Sequence, residues 1–190
     1  MKEIPQELLD WAKSIREYEP VEWERLPELD LYMDQVITLM DKQLAPFSSN
    51  GERLLTSSMI NNYVKDGVLP RPESKKYSRD HLAMLLMICM LKSVLSLPEI
   101  NAILQGMTSE HGIQELYPTY CGIQGRALQE TAARIDAAGE EDPAALFQLA
   151  MTLALEANAR RIAAARILGI LAPREPKDKE KKEKKAKNAD

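Results

Sequence analysis

The stretch that most restricts the fold of this chain is Leu55 to Leu82, LTSSMINNYVKDGVLPRPESKKYSRDHL. It reads as one helix, one short basic loop and the start of a second helix. Thr56 is placed to cap the first helix. Met59, Ile60, Tyr63 and Val64 recur at helical spacing, and Gly67 supplies the left-handed residue that ends the run. A helix is therefore expected over about 57–66, with its buried face fixed. The opposite face holds Ser58, Asn61, Asn62 and Lys65, at i, i+3, i+4 and i+7. A face that met only solvent would more often hold Glu, Lys and Arg, whereas these side chains can hydrogen-bond base edges.

Beyond Gly67, two prolines in three residues (Pro70, Pro72) exclude a helix and favour a stiff, extended segment over about 70–77. Arg71, Lys75 and Lys76, followed by Tyr77, suit a small wing lying on a phosphate backbone. The plainer reading is an exposed loop with solvated lysines.

The formal charge of the 190-residue chain, −4, gives no sign of a polyanionic partner, but the charge is unevenly placed. Residues 1–34 hold four basic and ten acidic residues, a net of −6, whereas residues 53–92 hold seven basic and three acidic, a net of +4. A local basic patch on an acidic protein is what a phosphate-contacting site requires. Cys89 and Cys121 have no CxxC spacing and lie among apolar residues, so they read as reduced core residues and neither a metal nor another cofactor is expected. The charged amino terminus does not read as a secretory signal. The charge-free run from Pro143 to Leu155 falls short of the roughly 20 residues a bilayer span needs, so no membrane association and a cytoplasmic location are expected.

In chain order, residues 1–29 read as an acidic helical arm, with Leu8, Trp11, Ala12 and Ile15 as its stripe and Trp23 available to pack back on the domain. Asp30 can cap a helix from Leu31 to Leu44 whose stripe is Met33, Val36, Ile37, Met40 and Leu44. The loop Pro46 to Gly51 then leads into the helix of the opening. Ser78 caps a helix that is apolar on nearly every side from Leu82 to Leu95, and the S-x-x-E capping box at Ser96 to Glu99 opens a short helix stopping near Gly106. This unit spans 30–107.

The region 108–172 is richer in alanine. A short helical turn is expected around Ile113 to Tyr117, broken by Pro118, then a helix through Leu128, Ala132 and Ile135 that ends by Gly139. A third helix runs from about 142 to 171, about 43 Å at 1.5 Å per residue. Its apolar excess fits either a subunit interface or an antiparallel pair with residues 119–138 of the same subunit. Residues 173–190 hold eight basic and five acidic residues with no apolar periodicity, and are expected to be disordered.

Ile60 to Leu69 (INNYVKDGVL), then a proline, a basic loop, Tyr77, Ser78 and later Ser96, Leu97, Pro98, Glu99, Ile100, resembles the DNA-binding domain of mercury-resistance-type (MerR-like) regulators. Ile60, Tyr63, Gly67, Leu69 and Tyr77 match that framework. Asn61 and Asn62 stand where it has Arg and Tyr, and Val64 where it has Glu. The chain is more similar to the bacterial family called domain of unknown function 1836, through LYMDQV (Leu31 to Val36), MINNYVK (Met59 to Lys65) and KKYSRDHL (Lys75 to Leu82). The resemblance implies an all-α fold with at most a short β wing: a MerR-like winged helix-turn-helix followed by a helical carboxy-terminal region. It also implies a transcription regulator working as a homodimer on double-stranded DNA, and no ligand.

The expected function is sequence-specific DNA binding by Ser58, Asn61, Asn62, Lys65, Arg71, Lys75, Lys76 and Tyr77. The alternative is a protein-interaction module that uses the 142–171 helix to hold a partner. His81 and His111 have no paired carboxylate, P-loop, dinucleotide fingerprint or nucleophile elbow nearby, so no enzyme is expected.

Overall fold

A helix apolar on every side must be surrounded, and the rest of the chain is arranged around α4 (Arg79–Leu91), in which every residue from His81 to Cys89 is buried. The computed structural model describes residues 5–48, 53–108, 112–141 and 143–172. The expectations for part of the 46–51 loop, His111, Asp142 and the lysine-rich tail 173–190 lie outside the described residues. The chain is mostly helical: α1 (Gln6–Arg16), α2 (Met33–Gln43), α3 (Ser57–Lys65), α4, α5 (Leu97–Thr108), α6 (Gly112–Glu141) and α7 (Pro143–Leu171). One antiparallel ladder joins β1 (Leu31–Tyr32) to β2 (Lys76–Tyr77), with Leu31 opposite Tyr77 and Tyr32 opposite Lys76.

The ladder corrects one expectation. Leu31 and Tyr32 are strand rather than helix, and α2 begins at Met33, with the Tyr32 backbone N–H donating to Gln35 Oε1 at 2.9 Å. Asp30 is not its cap. From there the stripe is as expected: Val36, Met40 and Leu44 are buried, facing Leu55, Ile60 and Tyr63 in the same cluster. Fully burying each such aliphatic side chain stabilises the fold by about 1.5–3 kcal/mol.

A second correction falls on residues 112–141, which form one helix instead of a short turn and a separate helix. Pro118 sits inside it, in its second turn, and Gly139 does not end it. A proline costs one i→i−4 hydrogen bond, but Ile113, Leu116 and Tyr117 before it are buried in the main cluster and hold the first turns in place.

The core crosses the boundaries expected at 29/30 and 107/108. Trp23 and Leu26 on one side, and Ile113, Leu116 and Tyr117 on the other, belong to the same buried cluster as α4. A smaller cluster, Ala12, Ile15, Ala132 and Ile135, joins α1 to α6, and Arg16 pairs with Asp136 beside it. Helices α6 and α7 pack together, and Arg134 donates to both carboxylate oxygens of Glu156 at 2.8 and 3.0 Å. The antiparallel pairing with the preceding helix is thus the one formed within the subunit, and it leaves the outer face of α7 uncovered. No helix among the described residues is long and apolar enough to cross a membrane.

Candidate nucleic-acid interface

Both ends of α3 are fixed by local bonds. At its start the Thr56 hydroxyl accepts from the Met59 N–H at 3.3 Å. At its end Gly67 takes φ +73°, the Val68 N–H reaches the Tyr63 carbonyl at 2.9 Å, and the Gly67 N–H reaches that of Val64 at 3.2 Å. That pair of bonds is a Schellman stop, and it needs a left-handed residue where Gly67 stands.

Burial then sets the orientation. Ile60 is 0% and Tyr63 4% exposed, so the opposite face, Ser58, Asn61, Asn62 and Lys65, is turned to solvent. Burial, aided by the nearby Cys89, pushes the Tyr63 phenol up to about 12, so it stays neutral and anchors the helix from inside.

The basic loop folds as a tight turn at the end of the ladder. The Lys76 N–H donates to the Glu73 carbonyl at 2.8 Å, and Ser74 and Lys75 take positive φ of 48° and 63°. Two consecutive left-handed residues between the bridged pair Glu73 and Lys76 make a two-residue turn of the I′ kind. Its tip presents Ser74 and Lys75 to solvent, with Arg71 exposed at its root. Lys76 is half-buried, its Nζ 5.3 Å from the Tyr32 ring centroid.

Tyr77 is only 3% exposed, its ring edge-on to His81 at 5.6 Å. Burial raises its phenol pKa, and it anchors the turn to the core. Its side chain therefore offers little surface to a ligand.

The turn and the helix pair meet in a cleft of about 630 Å³ lined by Tyr32, Asp34, Ile37 and Thr38 of the α2 side, Arg53 and Ser57 at the entry to α3, and Lys75 at the turn tip. Lys75 is thus brought near the first turn of α3, whereas Asn61, Asn62 and Lys65 lie outside the cleft lining. Arg53, which enters the sequence argument only within the charge of residues 53–92, and Ser57, which does not enter it, are both part of this lining. The three-residue offset of Arg53 from the Thr56 cap was the available signal. Arg53 is held by Asp41 at 3.2 Å and Arg79 by Glu28 at 3.3 Å, and Lys92 donates to the Leu54 carbonyl at 2.6 Å. Among the described residues no ion pair neutralises Lys65, Arg71 or Lys75. No group of three or more His, Cys, Asp or Glu is placed to hold a metal among the described residues.

The fold and this surface define a small helical protein with one two-stranded ladder and a polar, partly cationic face beside it. Residues 21–120 match the family described as a domain of unknown function (DUF1836), more than half of the chain, and the chain belongs to that family. No curated protein matches. No solved structure matches either.

Proposed function

We propose that the chain is a sequence-specific DNA-binding regulator of transcription, a MerR-like winged helix-turn-helix in which α2 supports α3 and the 70–77 turn is the wing. Helix α3 reads bases in the major groove, with Asn61 and Asn62 the base-contacting pair and Ser58 and Lys65 beside them. Arg71, Lys75 and Lys76 contact phosphates, and Tyr77 holds the wing in place. Two copies act on a two-fold related site. The observation that supports this reading is the burial of Ile60 and Tyr63, which leaves an Asn pair outward on the helix next to a turn where Arg71 and Lys75 form no ion pair among the described residues. An asparagine bonded bidentately to adenine contributes about 1–3 kcal/mol of discrimination.

The test is selection of binding sites from random or genomic double-stranded DNA, followed by titration at several salt concentrations. Asn62→Ala is expected to relax base preference at one position of the selected site. Lys75→Ala should weaken all sequences alike and reduce the slope of log K against log salt by about one. If neither substitution alters DNA binding, the assigned face is wrong.

A second reading is a protein-interaction module without DNA binding. It rests on α7, where Phe147 and Leu155 are 81% and 64% exposed. A chain that selects no DNA but retains a protein partner through α7 would favour it.

A further inference from the structure

The outer face of α3 carries Ser58, Asn61, Asn62 and Lys65, all exposed, and their angular order restricts what they can read. At about 100° per residue, Ser58 and Lys65 lie within about 10° of the line opposite the midpoint of Ile60 and Tyr63, and Asn61 and Asn62 stand about 50° to either side of it. Asp66, which caps the helix, is about 90° from that line. The Thr56 cap and the left-handed Gly67 hold both ends of the helix, so the face is set before any partner arrives. Among the described residues neither Asn side-chain amide has a hydrogen-bond partner.

The four bases differ in what they present to the major groove. Guanine offers two acceptors, best met by the paired donors of arginine, and this face holds no arginine. Lys65, its one cation, is a point charge that serves a phosphate as well as a base. Cytosine offers an N4 donor that suits a carboxylate, and thymine a methyl group that suits an apolar side chain; the face has neither. Adenine offers an N6 donor beside the N7 acceptor, and a side-chain amide matches both, Oδ1 accepting from N6–H while Nδ2–H donates to N7. Two free amides on one short face make adenine the base that this surface can specify.

We infer that the face requires an unmodified adenine N6 amino group, so that double-stranded DNA methylated at adenine N6 is refused. This requirement rests on the DNA-binding reading above and adds the state of the DNA as its regulator. In a Watson–Crick pair one N6 hydrogen is held by thymine and the other faces the major groove. A methyl group on a paired adenine must take the groove-facing position. The donor that Asn Oδ1 needs is then gone, and the methyl carbon stands where that oxygen would sit. Turning the amide over does not restore the match, because it sets Oδ1 against N7, two acceptors together.

The full chain is first used to select sites from a random duplex library, and the selected duplexes are then remade with N6-methyladenine or with 7-deazaadenine, which lacks the N7 acceptor but adds no bulk. Each replacement is expected to weaken binding about tenfold or more, the loss of a bidentate contact. In at least one of Asn61→Ala and Asn62→Ala both penalties should shrink to about twofold or less. Equal affinity for methylated and unmodified duplexes overturns the inference and leaves the DNA-binding reading standing. Failure to select any DNA overturns that reading, and this one with it. A penalty from the methyl group without one from 7-deazaadenine is steric exclusion and overturns the amide contact. Penalties kept in full by both alanine variants overturn it too.

Discussion

The Arg79 guanidinium lies 5.6 Å from the centroid of the Trp23 ring, and this contact ties the segment ahead of β1 to the first turn of α4. Trp23 is 7% exposed and also meets Tyr117 of α6 edge-on at 6.2 Å. The Tyr117 hydroxyl in turn donates to the Val21 carbonyl at 2.9 Å. One short segment thus links the root of the hairpin turn to α6. Glu28 approaches Arg79 Nη2 at 3.3 Å but is 86% exposed, and neither Nε nor Nη2 has a hydrogen-bond partner among the described residues. The aromatic face is the stronger hold.

Trp23→Ala is therefore expected to destabilise the chain by about 3–5 kcal/mol, the cost of emptying a large buried site. Glu28→Ala should cost no more than about 0.5 kcal/mol, as for other solvated ion pairs. Urea unfolding of both variants checks this, and comparable losses would mean that the ion pair, not the ring, holds Arg79.

His81 takes the place that Glu or Gln usually fills in a capping box. The Ser78 N–H donates to its Nδ1 at 3.1 Å, and the Ser78 hydroxyl lies 2.8 Å from the same atom. An imidazole accepting a backbone N–H at Nδ1 carries its proton on Nε2, which is buried without a hydrogen-bond partner among the described residues. His81→Gln retains an acceptor for the Ser78 N–H and should cost less than about 1 kcal/mol. His81→Ala leaves that N–H unmet and should cost about 1–2 kcal/mol, with faster amide exchange at Tyr77 and Leu31. Equal losses in the two variants would show that ring packing on Tyr77 matters more than the cap.

These contacts mark what the sequence could and could not disclose. Thr56, Gly67, Ser78 and the Ser96 to Glu99 box act on residues one to four positions away, so their roles follow from local spacing and are found as expected. The face of α3 follows from the same logic, because Ile60 and Tyr63 leave only one side for Asn61 and Asn62. Strand β1 was not legible, since Leu31 and Tyr32 become strand only by pairing with Tyr77 and Lys76, far along the chain. Propensity alone predicts a break at Pro118, and the helix runs through it. Burial of Leu116 and Tyr117 on one side of it and of Ala132 and Ile135 further on outweighs the lost hydrogen bond. The docking of α1 on α6 buries Ala12 and Ile15 in one cluster with Ala132 and Ile135, a match across the chain that no periodicity announces.

The tip of the hairpin turn stores strain that can be released without touching the core. Ser74 and Lys75 both occupy left-handed backbone, at a cost of about 1 kcal/mol each for a residue with a Cβ. Glycine removes that cost but loses more entropy on folding, about 0.5–1 kcal/mol. Ser74→Gly should leave stability equal or a few tenths of a kcal/mol higher, and Ser74→Val should lower it by about 1–2 kcal/mol. The order of urea midpoints decides the point. A Val variant as stable as the parent would mean that the turn adopts another conformation in solution. Lys75→Gly is the matching probe of function: the proposed phosphate contact is lost while the fold keeps its stability.

Stability should depend on pH chiefly on the alkaline side. Burial pushes the Cys89 thiol up to about 11, only partly offset by Lys92, and pushes the Tyr63 and Tyr18 phenols up to about 12. Tyr117 and Tyr120 are driven upward by burial as well. The unfolded chain releases these protons near 9 for the thiol and 10 for the phenols, so in this range it binds fewer protons than the folded protein. The stabilisation from keeping these groups neutral is complete below those unfolded values and is lost as pH rises through the folded ones. The melting temperature should therefore hold steady from neutral pH to about 9 and fall most steeply between about 10 and 12. Cys89→Ala removes the group whose contribution is lost first and should move the onset of the fall from about 9 to about 10, at some cost in packing. An onset that does not move would place the first alkaline transition on the tyrosines alone. A melting temperature flat to pH 12 would mean that these phenols reach solvent in the folded protein.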